Sequence, residues 1–326
     1  MYKTFYNLKR NPFEITPDPF FLFPTRRHNE ALAALYYGVR RHKGFVVMTG
    51  EVGTGKTLLV RCLLQLLNQS DVAYAYIFNS RLSPVEFLQY VAGDFGLNVA
   101  GKNKSELLLV LSNFVISRHQ KKLTTVLVVD EAHHVSAEVL EEIRLLTNLE
   151  TTNEKLLQIL LVGQPELDEK LDSIELRQLK QRIALRSQLQ PLDLDETRGY
   201  IQRRLQLAGG NPLVLFPAET IVKVHRHSRG IPRLINTVCE NALITAYARQ
   251  SRSVTPDIIE DIAADFRLGV VHQPKPEPVS TNEDGDARRA AKTLLLLHDY
   301  LQKLQSSQGE PRAAAATGAS KHEPYI

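Results

Sequence analysis

The sequence predicts an α/β fold, a parallel sheet sandwiched by helices, followed by a small all-helical lid. Three observations predict it. Gly50-Glu51-Val52-Gly53-Thr54-Gly55-Lys56-Thr57 spells G-x-x-x-x-G-K-[ST], the P-loop pattern, between a strand-like and a helix-like run. From Gly44 to about Leu194, strand and helix patterns alternate, which implies a parallel sheet covered on both faces. After Asp193 the strand patterns stop and four helical ones follow.

Residues 1–44 read as an N-terminal arm and helix. Asn11-Pro12-Phe13 and Thr16-Pro17-Asp18-Pro19-Phe20-Phe21 suggest an extended, proline-stiffened arm carrying aromatics. A helix from about His28 to His42 leads into the first strand. The segment holds eight Lys/Arg against three Asp/Glu, a candidate patch for nucleic acid or acidic lipid, although a solvated surface is the simpler reading.

Residues 45–194 form the core. Phe45-Val46-Val47-Met48 suits a buried strand, and Leu58 to Leu67 repeats apolar residues at helical spacing with Arg61 and Gln65 opposite. Strand patterns recur at Ala73–Asn79, Val126–Asp130, Leu157–Val162 and Ala184–Leu189. Helical patterns fill the gaps at Pro84–Phe95, Ser105–His119, Ala137–Leu149 and Glu166–Leu179. The lid, residues 195–268, has helical patterns at Asp195–Ala208, Ala218–Ser228, Ile231–Arg249 and Pro256–Phe266, the last opened by a proline after Thr255. Residues 269–326 read as a proline-rich linker, one amphipathic helix from about Ala287 to Leu304, and a disordered tail.

Composition narrows the class. The hydrophobic content of 43% is ordinary for a soluble globular chain. No run approaches the ~18 apolar residues of a membrane span. The first residues lack the apolar core of a secretory signal. A cytoplasmic chain without a transmembrane segment is expected. Cys62 and Cys239 lie inside helical patterns and read as small core residues, not a disulfide. The net charge of +4 permits an anionic partner without demanding one.

The motifs assign chemistry. In Gly50 through Leu58 the glycines let backbone N–H groups wrap a phosphate. Lys56 suits the β- and γ-phosphates, and the Thr57 hydroxyl suits Mg²⁺. Val126-Leu127-Val128-Val129-Asp130-Glu131 is an apolar strand ending in two acids, a Walker B pattern. Asp130 is expected to hold Mg²⁺ through the second shell or a water, and Glu131 to orient the water attacking the γ-phosphate. Asp130-Glu131-Ala132-His133 also spells a helicase signature, but a core of about 150 residues is too short for the two tandem domains a helicase needs. His133 and His134 lack ligand partners at useful spacing, so a polar loop is expected there.

Gln164 ends the Leu156–Val162 strand run, placed to sense the γ-phosphate or the water; a turn residue before Pro165 is an equal reading. Arg177 and Arg182 close a helix before the last strand. Either suits a cation offered to a neighbouring subunit's phosphate, and a basic, solvated helix end explains both as well. Gly230-Ile231-Pro232-Arg233 opens a lid helix from which Arg233 points from a fixed place.

In order, these motifs resemble an AAA+ ATPase of the ExeA type, the general-secretion-pathway protein A ATPases and their exosortase-linked relatives. The resemblance runs over about residues 1–268. Its most specific stretches are Pro17-Asp18-Pro19-Phe20 and Gly163-Gln164-Pro165-Glu166-Leu167. It implies ATP and Mg²⁺ as cofactors, Gln164 as sensor 1, Arg182 as the better arginine finger, and Arg233 as sensor 2. It also implies an arm that lies near the adenine around Phe13 and Pro24. A nucleotide-dependent homo-oligomer working with the protein components of a secretion or polysaccharide-export machine is expected, in the cytoplasm or peripheral to the inner membrane. Members of this branch typically continue into a membrane span and a peptidoglycan-binding domain, where residues 269–326 read otherwise. The same module resembles transposition regulators of the TniB and MuB kind, so DNA is the alternative partner.

Overall fold

Strands β1 (Phe45–Gly50), β3 (Thr125–Val129) and β4 (Leu157–Gly163) are buried at every position. Continuous apolar runs of this kind belong to strands covered on both faces. β2 (Ala73–Ile77) and β5 (Leu185–Leu189) are partly exposed because they form the sheet's edges. The order is β2-β3-β4-β1-β5 and every pairing is parallel. The computed structural model describes residues 1–67, 72–78, 81–152 and 154–268. Asn79 and the expected linker, helix and tail at 269–326 lie outside the described residues.

Helices α2 (Arg26–Arg40) and α3 (Lys56–Leu67) pack together on one side of the sheet. The other side carries α4 (Pro84–Asp94), α5 (Lys104–Gln120) and α6 (Ala137–Leu146). Phe87, Leu107 and Ile143 there share one core with Ala75, Leu127 and Ile159 of the strands. Ser83 and Asn103 cap α4 and α5 in reciprocal capping boxes with Glu86 and Glu106. Both cysteines are buried and unpaired, as expected.

The pattern at Glu166–Leu179 is not one helix. It forms α7 (Glu166–Leu171), a 3-10 turn at Ile174–Leu176, and α8 (Arg177–Lys180). Leu167, Leu171, Leu176 and Leu179 are all buried. The five-residue step from Leu171 to Leu176 is out of phase with a 3.6-residue repeat, so the chain kinks to bury both pairs. Ser173, extended at φ −63° and ψ 152°, makes the break.

The lid has five helices where four patterns were read: α9 (Leu194–Leu207), α10 (Pro212–Leu215), α11 (Ala218–Ser228), α12 (Pro232–Ala248) and α13 (Pro256–Asp265). The added α10 is one turn, capped by the Asn211 side chain. The arm is partly extended, with a short helix α1 (Tyr2–Phe5) and a 3-10 turn at Pro19–Phe21. Its Tyr6, Leu8 and Phe13 are buried within the lid's own core beside Ile201, Phe216 and Cys239.

Arg204 on α9 ties arm to lid. Its guanidinium donates to the carbonyl of Pro12 at 2.5 Å and to the Tyr200 hydroxyl at 2.8 Å, and lies 4.6 Å from the Phe21 ring centre. Arg204 is buried, so truncation strands these acceptors without water. Arg204→Ala should lower the unfolding free energy by about 2–4 kcal/mol in urea titration. It should also open residues 1–23 to limited proteolysis before the sheet domain is cut.

Candidate nucleotide and metal site

The phosphate loop runs from the end of β1 into α3. Gly53 and Gly55 have φ of +81° and +103°, a region that side chains rarely adopt. A Cβ on Gly53 would stand 2.7 Å from the Arg233 Cβ. The Arg233 backbone N–H donates to the Gly53 carbonyl at 3.2 Å, so the lid residue predicted to face the nucleotide lies against the loop. Lys56 is 6% exposed and donates from Nζ to the carbonyls of Gly50 (2.6 Å) and Glu51 (3.0 Å). Burial lowers its pKa, and the nearby Glu131 and Asp130 oppose that.

His28, from α2, braces the loop. Its Nε2 lies 3.0 Å from the Thr54 carbonyl and its Nδ1 2.7 Å from the Thr25 hydroxyl. A neutral ring with the proton on Nε2 satisfies both contacts. Burial lowers the His28 pKa.

Asp130 follows β3 and is 5% exposed. Its Oδ1 accepts from the Glu131 N–H at 2.9 Å. Its Oδ2 accepts from the Thr57 hydroxyl at 3.0 Å and the Tyr76 hydroxyl at 2.5 Å. A carboxylate and a hydroxyl in contact are the hard oxygen donors that suit Mg²⁺, which binds through one or two protein oxygens plus phosphates. Thr57 and Asp130 are therefore the pair that would hold it.

Glu131 adopts φ 52° and ψ 35°, the left-handed region. Such strain in a non-glycine residue clusters at functional sites. Its Oε2 is 3.4 Å from the Gln164 amide nitrogen and 3.5 Å from His133 Nδ1. The same amide nitrogen is 2.8 Å from His133 Nε2. Burial, and then His134, lower the His133 pKa while Glu131 opposes them. Lys170 on α7 donates to the carbonyls of His133 (3.0 Å) and Val135 (2.6 Å), pinning the loop. Glu131, His133 and His134 do bring ligand-type atoms within 4.8 Å of one another. They belong to one turn, however, and His133 turns both ring nitrogens to Gln164 and Glu131, the arrangement of a polar loop.

The chain thus brings together Gly50–Leu58, Asp130, Glu131, Gln164 and Arg233. It does not bring Arg177 or Arg182 to them. Both are exposed, and Arg182 donates to Asn148 Oδ1 at 3.2 Å. Phe13 is fully buried against Phe216, whereas Pro24 is exposed. Sequence reasoning missed His28, Lys170 and Tyr76. For His28 a signal existed, the Thr25-x-x-His28 spacing of a helix cap, realised by the Thr25 hydroxyl accepting from the His28 N–H.

Residues 39–171 match the AAA domain family. The chain carries an AAA+ domain. Over 255 residues, 78% of this chain, it is 44% identical to general secretion pathway protein A of Aeromonas hydrophila. That stretch is 46% of the relative, so the chain spans less than half the length of that protein. Over 232 residues it is 27% identical to the ATP-dependent target DNA activator B of Escherichia phage D108, covering 70% of this chain and 68% of that one. Among solved structures, the ORC2 protein of Aeropyrum pernix in its ADPNP-ADP complexes matches with a TM-score of 0.60 at 19% identity, over 79% of this chain and 72% of that one. This likeness fixes the fold, a P-loop AAA+ sheet with a helical region after it.

The His28 contacts set a pH dependence. Folding lowers its pKa from the ordinary 6.5, so below that value the unfolded chain binds a proton the folded one refuses. Its contribution is complete above pH 6.5 and is lost as pH falls below it. Unfolding free energy measured at pH 7.5 and again at 5.5 should drop for the natural chain. His28→Gln should start lower and drop less.

Proposed function

We propose that this chain is a Mg²⁺-dependent ATPase whose nucleotide state drives assembly of a larger complex, a secretion or polysaccharide-export machine at the inner membrane. The observation that carries the enzymatic reading is Glu131, held in a strained conformation one residue after the Asp130–Thr57 pair and 3.4 Å from Gln164. The loop's N–H groups cradle the phosphates, and Lys56 has a third N–H to offer them beyond the two it gives Gly50 and Glu51. Thr57 and Asp130 would hold a Mg²⁺ ion, which when bound would supply positive charge to the phosphates. Glu131 orients the attacking water, Gln164 senses the γ-phosphate, and Arg233 carries that state into the lid. The 44% identity to general secretion pathway protein A favours the secretion assignment.

Arg182 is exposed and bonded to Asn148, which suits a finger for a neighbouring subunit. The site is then complete only between subunits. ATP turnover per subunit should rise with protein concentration and fall on dilution; a flat rate would count against the shared site. Glu131→Gln should cut turnover about a hundredfold or more while nucleotide still binds.

A second reading is a DNA-directed ATPase, favoured by the match to the phage DNA activator and served by the basic N-terminal arm and lid arginines such as Arg226 and Arg229. Hydrolysis with and without duplex DNA at two salt concentrations separates the readings. Stimulation that fades with salt supports DNA, because phosphate contacts set the salt slope. Cooperative hydrolysis indifferent to DNA supports the export assignment.

A further inference from the structure

We propose that Tyr76 is a positioning residue for the metal-holding carboxylate: its hydroxyl fixes Asp130 in the orientation that receives Mg²⁺. This rests on the reading of Thr57 and Asp130 as the metal pair. The register puts it there. Tyr76 pairs with Val128 across the β2–β3 ladder, and Asp130 lies two residues further on. Ala75 and Ile77 enter the core with Leu127 and Val129. Alternation therefore sends Tyr76 to the opposite face with Asp130, the face where α3 brings Thr57. A diagonal neighbour at this offset is within reach of a tyrosine.

Both strand ends are fixed. The Asp130 N–H donates to the Ile77 carbonyl at 2.8 Å, and the Tyr76 N–H donates to Asp94 Oδ2 at 2.6 Å. The phenol–carboxylate contact is short, 2.5 Å, and charge-assisted. Thr57 shares Oδ2 with Tyr76. A threonine hydroxyl can turn a lone pair to a metal and still donate its proton. Among the described residues, Thr57 and Tyr76 are the side-chain donors to Oδ2, and Tyr76 makes the shorter bond. Without it the carboxylate keeps two of its three donors and is held less firmly, and metal affinity falls.

The test is binding of a fluorescent ATP analogue titrated with Mg²⁺, for the natural chain, Tyr76→Phe, Asp130→Asn and the double variant. Tyr76→Phe should raise the Mg²⁺ half-saturation concentration about tenfold and leave metal-free nucleotide affinity within about twofold, as loss of a metal ligand's hydrogen-bond partner does. In the Asp130→Asn background it should add nothing, since the two act through one interaction. An unshifted midpoint in Tyr76→Phe overturns the proposal. So does a shift that persists in full with Asp130→Asn, which would mark the phenol as support for the sheet edge alone. If the natural chain binds nucleotide with no response to Mg²⁺, or Asp130→Asn leaves that response intact, the metal pair itself is wrong and Tyr76 falls with it. Should Tyr76→Phe fail to fold, Tyr76→Leu, which also lacks a donor, gives the same comparison: a raised midpoint supports the proposal and an unchanged one overturns it.

Discussion

Asp130 is a charged group, 5% exposed, at the end of a strand buried along its whole length. A carboxylate in that position is costly unless paired or hydrogen-bonded. Here two elements and its own backbone converge on it: Thr57 from α3, Tyr76 from β2, and the next N–H of the chain. That convergence sets where the end of β3 stands relative to the start of α3, and therefore where the phosphate loop stands relative to Glu131. A parallel sheet is what makes it possible, because all five strands deliver their C-terminal ends to one edge.

The lid meets this edge through backbone contacts, and the arm through side chains. Leu192 donates to the Gly230 carbonyl at 2.9 Å, and a Cβ on Gly230 would stand 1.9 Å from the Leu192 oxygen. Gly230 also has φ +72°, so the approach of lid to core there depends on glycine twice over. Three residues later the Arg233 N–H meets the Gly53 carbonyl. The arm closes the circuit. Phe23 packs against Gly199 and Tyr200 of the lid, and Thr25 and His28 follow it onto the phosphate loop. A shift of the lid therefore acts on the phosphate loop from two sides.

What the sequence made legible follows from the range of each interaction. The phosphate loop is a local backbone shape written in contiguous residues, so Gly50–Thr57 could be read directly. The buried strands could be read because burial on both faces leaves an uninterrupted apolar run. Glu166–Leu179 could not, because its leucines fit a helix pairwise and only the five-residue step betrays the break. Tyr76 was invisible because its role depends on strand register, a long-range property that no local pattern encodes.

The geometry around Glu131 shows how a strained residue is kept. A left-handed conformation in a non-glycine residue costs about 1 kcal/mol or more and persists only where the surroundings over-determine it. Upstream, the Asp130 N–H is bound to Ile77 and the Glu131 N–H to the Asp130 carboxylate. Downstream, the His134 N–H returns to the Glu131 carbonyl, and Lys170 holds the carbonyls of His133 and Val135. These bonds hold the Glu131 backbone from both sides. Burial lowers the Lys170 pKa, yet its ammonium has two carbonyl acceptors in place of water. The carboxylate is thereby turned toward Gln164 by the fold itself. Its position is thus set in the backbone, by the bonds of the residues on either side of it.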